Sequence, residues 1–239
     1  MDVDFLRQTF VQLLGGVPLL LQLSAFSIAA GAVFAVVLAL MRLSGNALLD
    51  AIARGYVFVF RGTPLLVQIF LIYYGLGQFP EIRDSLLWPF LRQPYWCALL
   101  ALTLNTAAYS SEIIRSGILS VPFGQIEAAR ACGMSRSLVF RRIILPQGLR
   151  VALPAYGNEI ILMTRATALA SVITLMEVTG IASKIISETF RAVEVFVCAG
   201  AIYLVINFAI SRGVAWFERR LSPPLAKVSV PTAIPKLAR

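Results

Sequence analysis

A chain of 239 residues that is 59% hydrophobic and only 14% charged, with a mean hydropathy of +0.82, is far more apolar than a soluble domain of its length. It reads as an all-α, polytopic membrane protein. There is no histidine, Cys97, Cys132 and Cys198 have no paired spacing, and no GxxxxGK[ST] run occurs; this excludes His triads, His-ligated metals, a disulfide framework, a zinc site and an intrinsic P-loop.

The start, with Asp2 and Asp4 where a basic region would stand, does not read as a cleavable signal peptide. Residues 1–18 are expected to precede the first span on the outer side. Five apolar stretches follow, roughly Leu19 to Met41, Tyr56 to Leu76, Tyr95 to Ile114, Pro154 to Met176 and Val195 to Trp216. Each meets or approaches the ~20 residues that cross a bilayer as a helix. The membrane-spanning body is thus placed at 19–220, and the Pro-rich stretch 221–239 is expected to be a flexible tail.

The second stretch opens on Arg61, Gly62, Thr63 and Pro64. A proline inside a membrane helix frees a backbone carbonyl and a glycine eases close packing, so a kink or a broken helix is expected there. In the third stretch Asn105, Tyr109 and Glu112 recur at i, i+4 and i+7 and share one face, suited either to an interhelical hydrogen-bond network or to substrate contact.

Between the third and fourth stretches lies the longest connection, about 115–153, too long for a simple turn. Its alanine-rich run from Ile126 to Cys132 favours a short helix terminated at Gly133. Ser135 can cap a second helix, which Pro146 breaks or bends. The fourth stretch is interrupted by Asn158, Glu159, Thr164, Arg165 and Thr167. Ionisable groups at membrane depth are costly and mark functional positions, although Glu159 could instead pair internally and Arg165 snorkel to an interface. Six residues apart, Glu159 and Arg165 fall on different helix faces.

The net charge of +9 follows the membrane rather than nucleic acid. With the N-terminus outside, only Arg7, Arg83, Arg92, Lys184 and Arg191 fall on the outer side, Arg165 lies within a span, and every other Lys and Arg falls on the inner side. That asymmetry is the positive-inside pattern, with the C-terminus in the cytoplasm and the 115–153 loop beside it.

Within that loop Glu127, Ala128 and Ala129, then Gly133, then Ile143, Leu145 and Pro146 stand at a spacing that resembles the EAA-x3-G-x9-I-x-L-P signature of binding-protein-dependent ABC importer permeases. Arg61 to Gln68, read RGTPLLVQ, resembles the matching segment of polar amino-acid permeases. The run Leu153 to Met163 is similar to the M-type permeases of histidine, lysine/arginine/ornithine and opine importers. Where many of those permeases read K-D-T-S-L, this chain has Arg165-Ala166-Thr167-Ala168-Leu169: the cation keeps its position and the acid is lost.

The resemblance implies a type I ABC importer transmembrane domain in the bacterial inner membrane, with a cytoplasmic coupling helix. It implies a homologous Q-type permease, an ABC ATPase dimer that binds the ATP, a periplasmic solute-binding protein and a small amino-acid substrate, in lipid, with no cofactor, no metal and no catalysis in this chain. Glu127, Ala128, Ala129 and Gly133 would take the force of the ATPase. Asn105, Tyr109, Asn158, Glu159, Arg165 and Thr167 would line the path, and Arg61 to Pro64 would gate or bend it. A secondary transporter or channel without an ATPase is the alternative from another class.

Overall fold

A computed structural model describes residues 3–221, and every regular element among them is helical. The chain runs through α1 (Val3–Leu14), α2 (Val17–Leu43), α3 (Ala47–Gly62), α4 (Leu65–Phe70), the short α5 (Pro80–Arg83) and α6 (Trp88–Leu91), and α7 (Pro94–Leu119). After these come α8 (Phe123–Ala131), α9 (Arg136–Val139), α10 (Leu145–Ala166), α11 (Val178–Thr189) and α12 (Ala192–Leu221). The tail expected at 221–239 lies outside the described residues, apart from Leu221 at the end of α12.

Three helical stretches are long and apolar enough to cross a membrane, Val3–Leu43, Pro94–Leu119 and Ala192–Arg220, and two bent pairs raise the number to as many as five. Five spans are thus available, but two are broken. Lipid cannot satisfy free backbone groups, so such breaks persist only where protein or a cavity covers them.

The centre of the bundle is the α2–α7 contact. The buried residues of α2 include Ser24, Ser27, Gly31, Ala35 and Ala39, and those of α7 include Ala98, Ala101, Thr106 and Ala108. Apolar burial drives little association inside lipid, so close backbone approach over small residues takes its place. A Cβ at Gly31 would stand 2.7 Å from Thr106 Cγ2, which shows how near the helices pass. Helix α10 packs on the other side of α7, and α12 on α10. Large apolar side chains such as Val33, Phe34, Leu204 and Phe208 point outward, as a lipid or partner-facing surface does.

Most of residues 1–18 is helical: α1 lies on α11 and α12, with Thr9 and Leu13 buried. The fourth apolar stretch also starts earlier than its hydropathy suggests. Helix α10 begins at Leu145, passes through Pro154, tightens to a 3-10 turn over Thr167–Ile173 and ends where Thr174 turns left-handed at φ 72°. Pro146 neither breaks nor bends the chain into two elements. It lies within the continuous helical run Arg136–Ile173, directly after a π turn at Phe140–Ile144, the kind of bulge that accommodates a proline in a helix.

Helix α11, bent 46° from the preceding helix, has no counterpart among the sequence expectations. Buried Glu177 caps it, accepting from Gly180 N at 2.9 Å and from Tyr203 Oη of α12 at 2.8 Å.

Candidate functional site: a polar cavity at a broken helix and an exposed connector helix

The break between α3 and α4 bends the chain by 104°. Thr63 is extended, at φ −114° and ψ 144°, as a residue before proline must be, and Pro64 opens α4 at φ −62°. The carbonyls freed at the end of α3 are met by side chains. Gln68 Nε2 donates to Phe60 O at 2.9 Å and to Thr63 Oγ1 at 2.8 Å, and Asn105 Nδ2 of α7 reaches Phe60 O at 3.3 Å and Gln68 Oε1 at 3.1 Å. Gln68 and Asn105 thereby hold the broken end in place.

Beside this break lies a cavity of about 440 Å3, lined by Arg61 to Leu65, Asn105, Tyr109, Glu159, Leu162, Met163 and Ala166. Glu159 is 6% exposed and presents a carboxylate to it, while the Arg61 guanidinium lies 5.0 Å from the centre of the Tyr109 ring. One carboxylate and one guanidinium thus face the same space between apolar walls. Such a site can hold both ends of a zwitterion or an amino acid with a cationic side chain.

Of the residues expected to line a path, Asn105, Tyr109 and Glu159 meet in this cavity together with all four residues of the Arg61 to Pro64 segment. Asn158 and Arg165 are exposed on other faces of α10, and Arg165 lines a separate groove with Tyr203, Asn207 and Phe208 of α12. Thr167 is buried and donates to Thr164 O at 2.8 Å, outside the cavity lining. Arg61 is the charge that sequence reasoning placed at a kink rather than opposite Glu159. A guanidinium next to a helix-breaking Gly-x-Pro within a membrane span was the signal that could have found it.

At the other functional region, Glu127 and Ala128 of α8 are exposed and Ala129 is buried against the connector. Gly133 adopts φ +80°, and its N–H bonds to Arg130 O at 2.9 Å while Met134 N–H bonds to Ala129 O at 3.1 Å. This is a Schellman termination, which asks for glycine at the left-handed position. Ser135 Oγ caps α9, accepting from Leu138 N at 3.4 Å. Gln147 Nε2 donates to Gln125 Oε1 at 2.7 Å and ties α8 to α10, the helix that carries Glu159.

Near the same end, α2, α3 and α7 are locked together by charge. Arg42 bonds Asp50 at 2.9 Å and Glu112 at 2.6 Å, Arg115 holds Glu112 at 2.8 Å, and Arg54 pairs with Asp50. Glu112 therefore faces its own cations rather than the cavity shared by Asn105 and Tyr109.

A polytopic helical bundle with a polar cavity at a broken span and an exposed connector helix linked to the cavity wall has the build of a membrane transport subunit. The chain belongs to the family described as binding-protein-dependent transport system inner membrane component, which it matches over residues 9–223. It is 64% identical to the octopine transport system permease protein of Rhizobium meliloti over 96% of this chain and 94% of that one. It is 53% identical to the nopaline transport system permease protein of Agrobacterium fabrum over 100% and 99%. A crystal structure of an amino acid ABC transporter with histidines superposes with a TM-score of 0.83 at 36% identity, over 92% of this chain and 99% of that one. This chain is a permease subunit of an ABC transport system.

Proposed function

We propose that this permease imports a basic amino acid or an opine, taking substrate into the Glu159 and Arg61 cavity and moving it by alternating access. The carrying observation is the buried Glu159 carboxylate facing the same cavity as the Arg61 guanidinium at the broken α3–α4 span. An opine built on arginine offers a guanidinium for Glu159 and carboxylates for Arg61, and relatives named for octopine and nopaline transport support that class. Asn105 and Tyr109 complete the lining; Asn158, Arg165 and Thr167 belong to the wider path.

The chain works with a homologous Q-type permease, an ABC ATPase dimer that binds and hydrolyses the ATP, and a periplasmic solute-binding protein, and it needs no cofactor or metal of its own. Its N-terminus is periplasmic and its C-terminus cytoplasmic, with the 115–153 loop facing the ATPase, an orientation that the distribution of Lys and Arg supports. Closure of the ATPase dimer pushes on Glu127, Ala128 and Ala129, Gly133 holds the turn, and α10 transmits the movement to Glu159. ATP thereby shifts the population between inward- and outward-facing states.

Uptake of labelled octopine, nopaline, arginine and histidine into proteoliposomes bearing the complete complex tests this. Guanidinium-bearing substrates are expected to be preferred and Glu159→Gln to abolish that preference. Uptake that ignores the substrate's cation, or that proceeds without the ATPase, overturns the reading.

A further inference from the structure

Arg61 touches more than one cavity. A second space of about 350 Å3 is lined by Glu112, Ser116, Gly117, Val151 and Ala155, among others, and its lining shares only Arg61 and Tyr109 with that of the Glu159 cavity. On α7 the first cavity uses positions 105 and 109 and the second uses 109 to 117; on α10 the first uses 159 to 166 and the second 151 to 155. Helices α7 and α10 run in opposite directions here, so both shifts point the same way, toward the end that carries α8. The two cavities are thus consecutive along the bundle.

The pair between them joins a continuous helix to the end of a broken one. Tyr109 projects from the continuous helix α7, whereas Arg61 stands one residue before the break at Gly62 to Pro64. Among the described residues the Arg61 guanidinium has no carboxylate within ion-pair distance, although Glu159 lines one cavity and Glu112 the other. Glu112 is already occupied by Arg42 and Arg115. What keeps Arg61 between the cavities is the face of the Tyr109 ring, an interaction easily exchanged for a carboxylate.

We propose that Arg61 stacked on Tyr109 is the partition between the substrate cavity and the next cavity toward α8, and that the substrate opens it. The substrate carboxylate draws the guanidinium off the ring while the substrate's cation engages Glu159, so the two cavities join only when the first is filled. An empty transporter stays closed at this level, and a solute without a carboxylate fails to open it. The inference rests on the substrate reading of the Glu159 cavity.

The test uses proteoliposomes with the whole complex, loaded with labelled agmatine, a guanidinium solute with no carboxylate to draw Arg61 off the ring, and assayed for efflux without ATP. Wild type is expected to be tight, and Tyr109→Ala to leak at least tenfold faster. Tyr109→Phe, which keeps the ring face, is expected to stay tight. Arg61→Met serves as a second opening variant should Tyr109→Ala assemble poorly. A Tyr109→Ala or Arg61→Met complex that assembles but leaks no faster than wild type overturns the partition, as does a leak in Tyr109→Phe equal to that of Tyr109→Ala. Binding of labelled octopine and arginine to Glu159→Gln, measured separately, reports on the underlying cavity: normal binding there sinks the substrate reading without deciding the leak.

Discussion

Gly117 of α7 and Gly148 of α10 meet backbone to backbone: a Cβ on Gly117 would lie 2.5 Å from Gly148 O, and one on Gly148 would lie 3.1 Å from Gly117 O. The two helices that carry Tyr109 and Glu159 therefore cross with no side chain between them at this point. Gly117→Ala must push α10 away, because the obstacle is backbone. Overpacking of this kind costs about 1–3 kcal/mol. The expected outcome is a lower thermal midpoint for detergent-purified complex with Gly117→Ala than with Gly148→Ala, whose nearest contacts are longer. Equal midpoints would mean that the crossing is looser than these distances indicate.

The charge lock at the ends of α2, α3 and α7 gives a contrast between partners of one network. The Glu112 side chain is 17% exposed and is shared by Arg42 and Arg115, while Arg54 is 62% exposed and, among the described residues, pairs with Asp50 alone. Removing this mostly buried acid strips Arg115 of its carboxylate and leaves Arg42 with Asp50 alone, at about 3 kcal/mol. An exposed pair is worth under about 1 kcal/mol. Chemical denaturation of the purified complex should accordingly show Glu112→Gln strongly destabilised and Arg54→Ala nearly unchanged, with added salt erasing only the second, small effect. A comparable loss for both would remove the distinction.

The all-α, membrane-spanning class was legible because hydropathy is local, and so was the break at Pro64, because proline restricts its own backbone and that of Thr63. The end of α8 at Gly133 was legible for the same reason. What escaped depends on distant pairs. Helix α11 is short, and it holds through Glu177 meeting Tyr203, 26 residues away. The start of α10 at Leu145 was hidden by Pro146, Gln147, Gly148 and Arg150, which lower both hydropathy and helix propensity there. The helix face of Glu112 left an interhelical network and substrate contact both open, and only Arg42, 70 residues distant, decides for the network.

Glu159 and Arg165 illustrate how far sequence periodicity reaches. Their six-residue offset places them on different faces of α10, and the cavities follow: Glu159 opens beside Arg61, Arg165 beside Tyr203 and Asn207. A hydrogen bond to a charged group is worth about 1.5–3 kcal/mol, so Glu159→Gln should weaken binding of labelled octopine by roughly ten- to a hundredfold. Arg165→Gln should shift it by less than about threefold, read by equilibrium binding to the detergent-solubilised complex. A larger loss at Arg165 than at Glu159 would move the substrate to the α10–α12 groove.

The connector makes the last prediction, because its two conspicuous residues fail differently. Gly133 sits at φ +80°, where an L side chain costs about 1–2 kcal/mol, and its N–H closes the end of α8. Gly133→Ala should therefore loosen the connector and weaken attachment of the ATPase, visible as lost co-purification. Glu127 is exposed and among the described residues carries no side-chain bond that α8 needs, so Glu127→Lys should leave the fold and thermal midpoint intact. Its effect is expected in coupling alone: ATP-driven uptake falls at least tenfold while substrate binding in the cavity persists. A Glu127→Lys complex that still drives uptake with ATP would remove α8 from the path of force, leaving the Gln125–Gln147 link without a mechanical role.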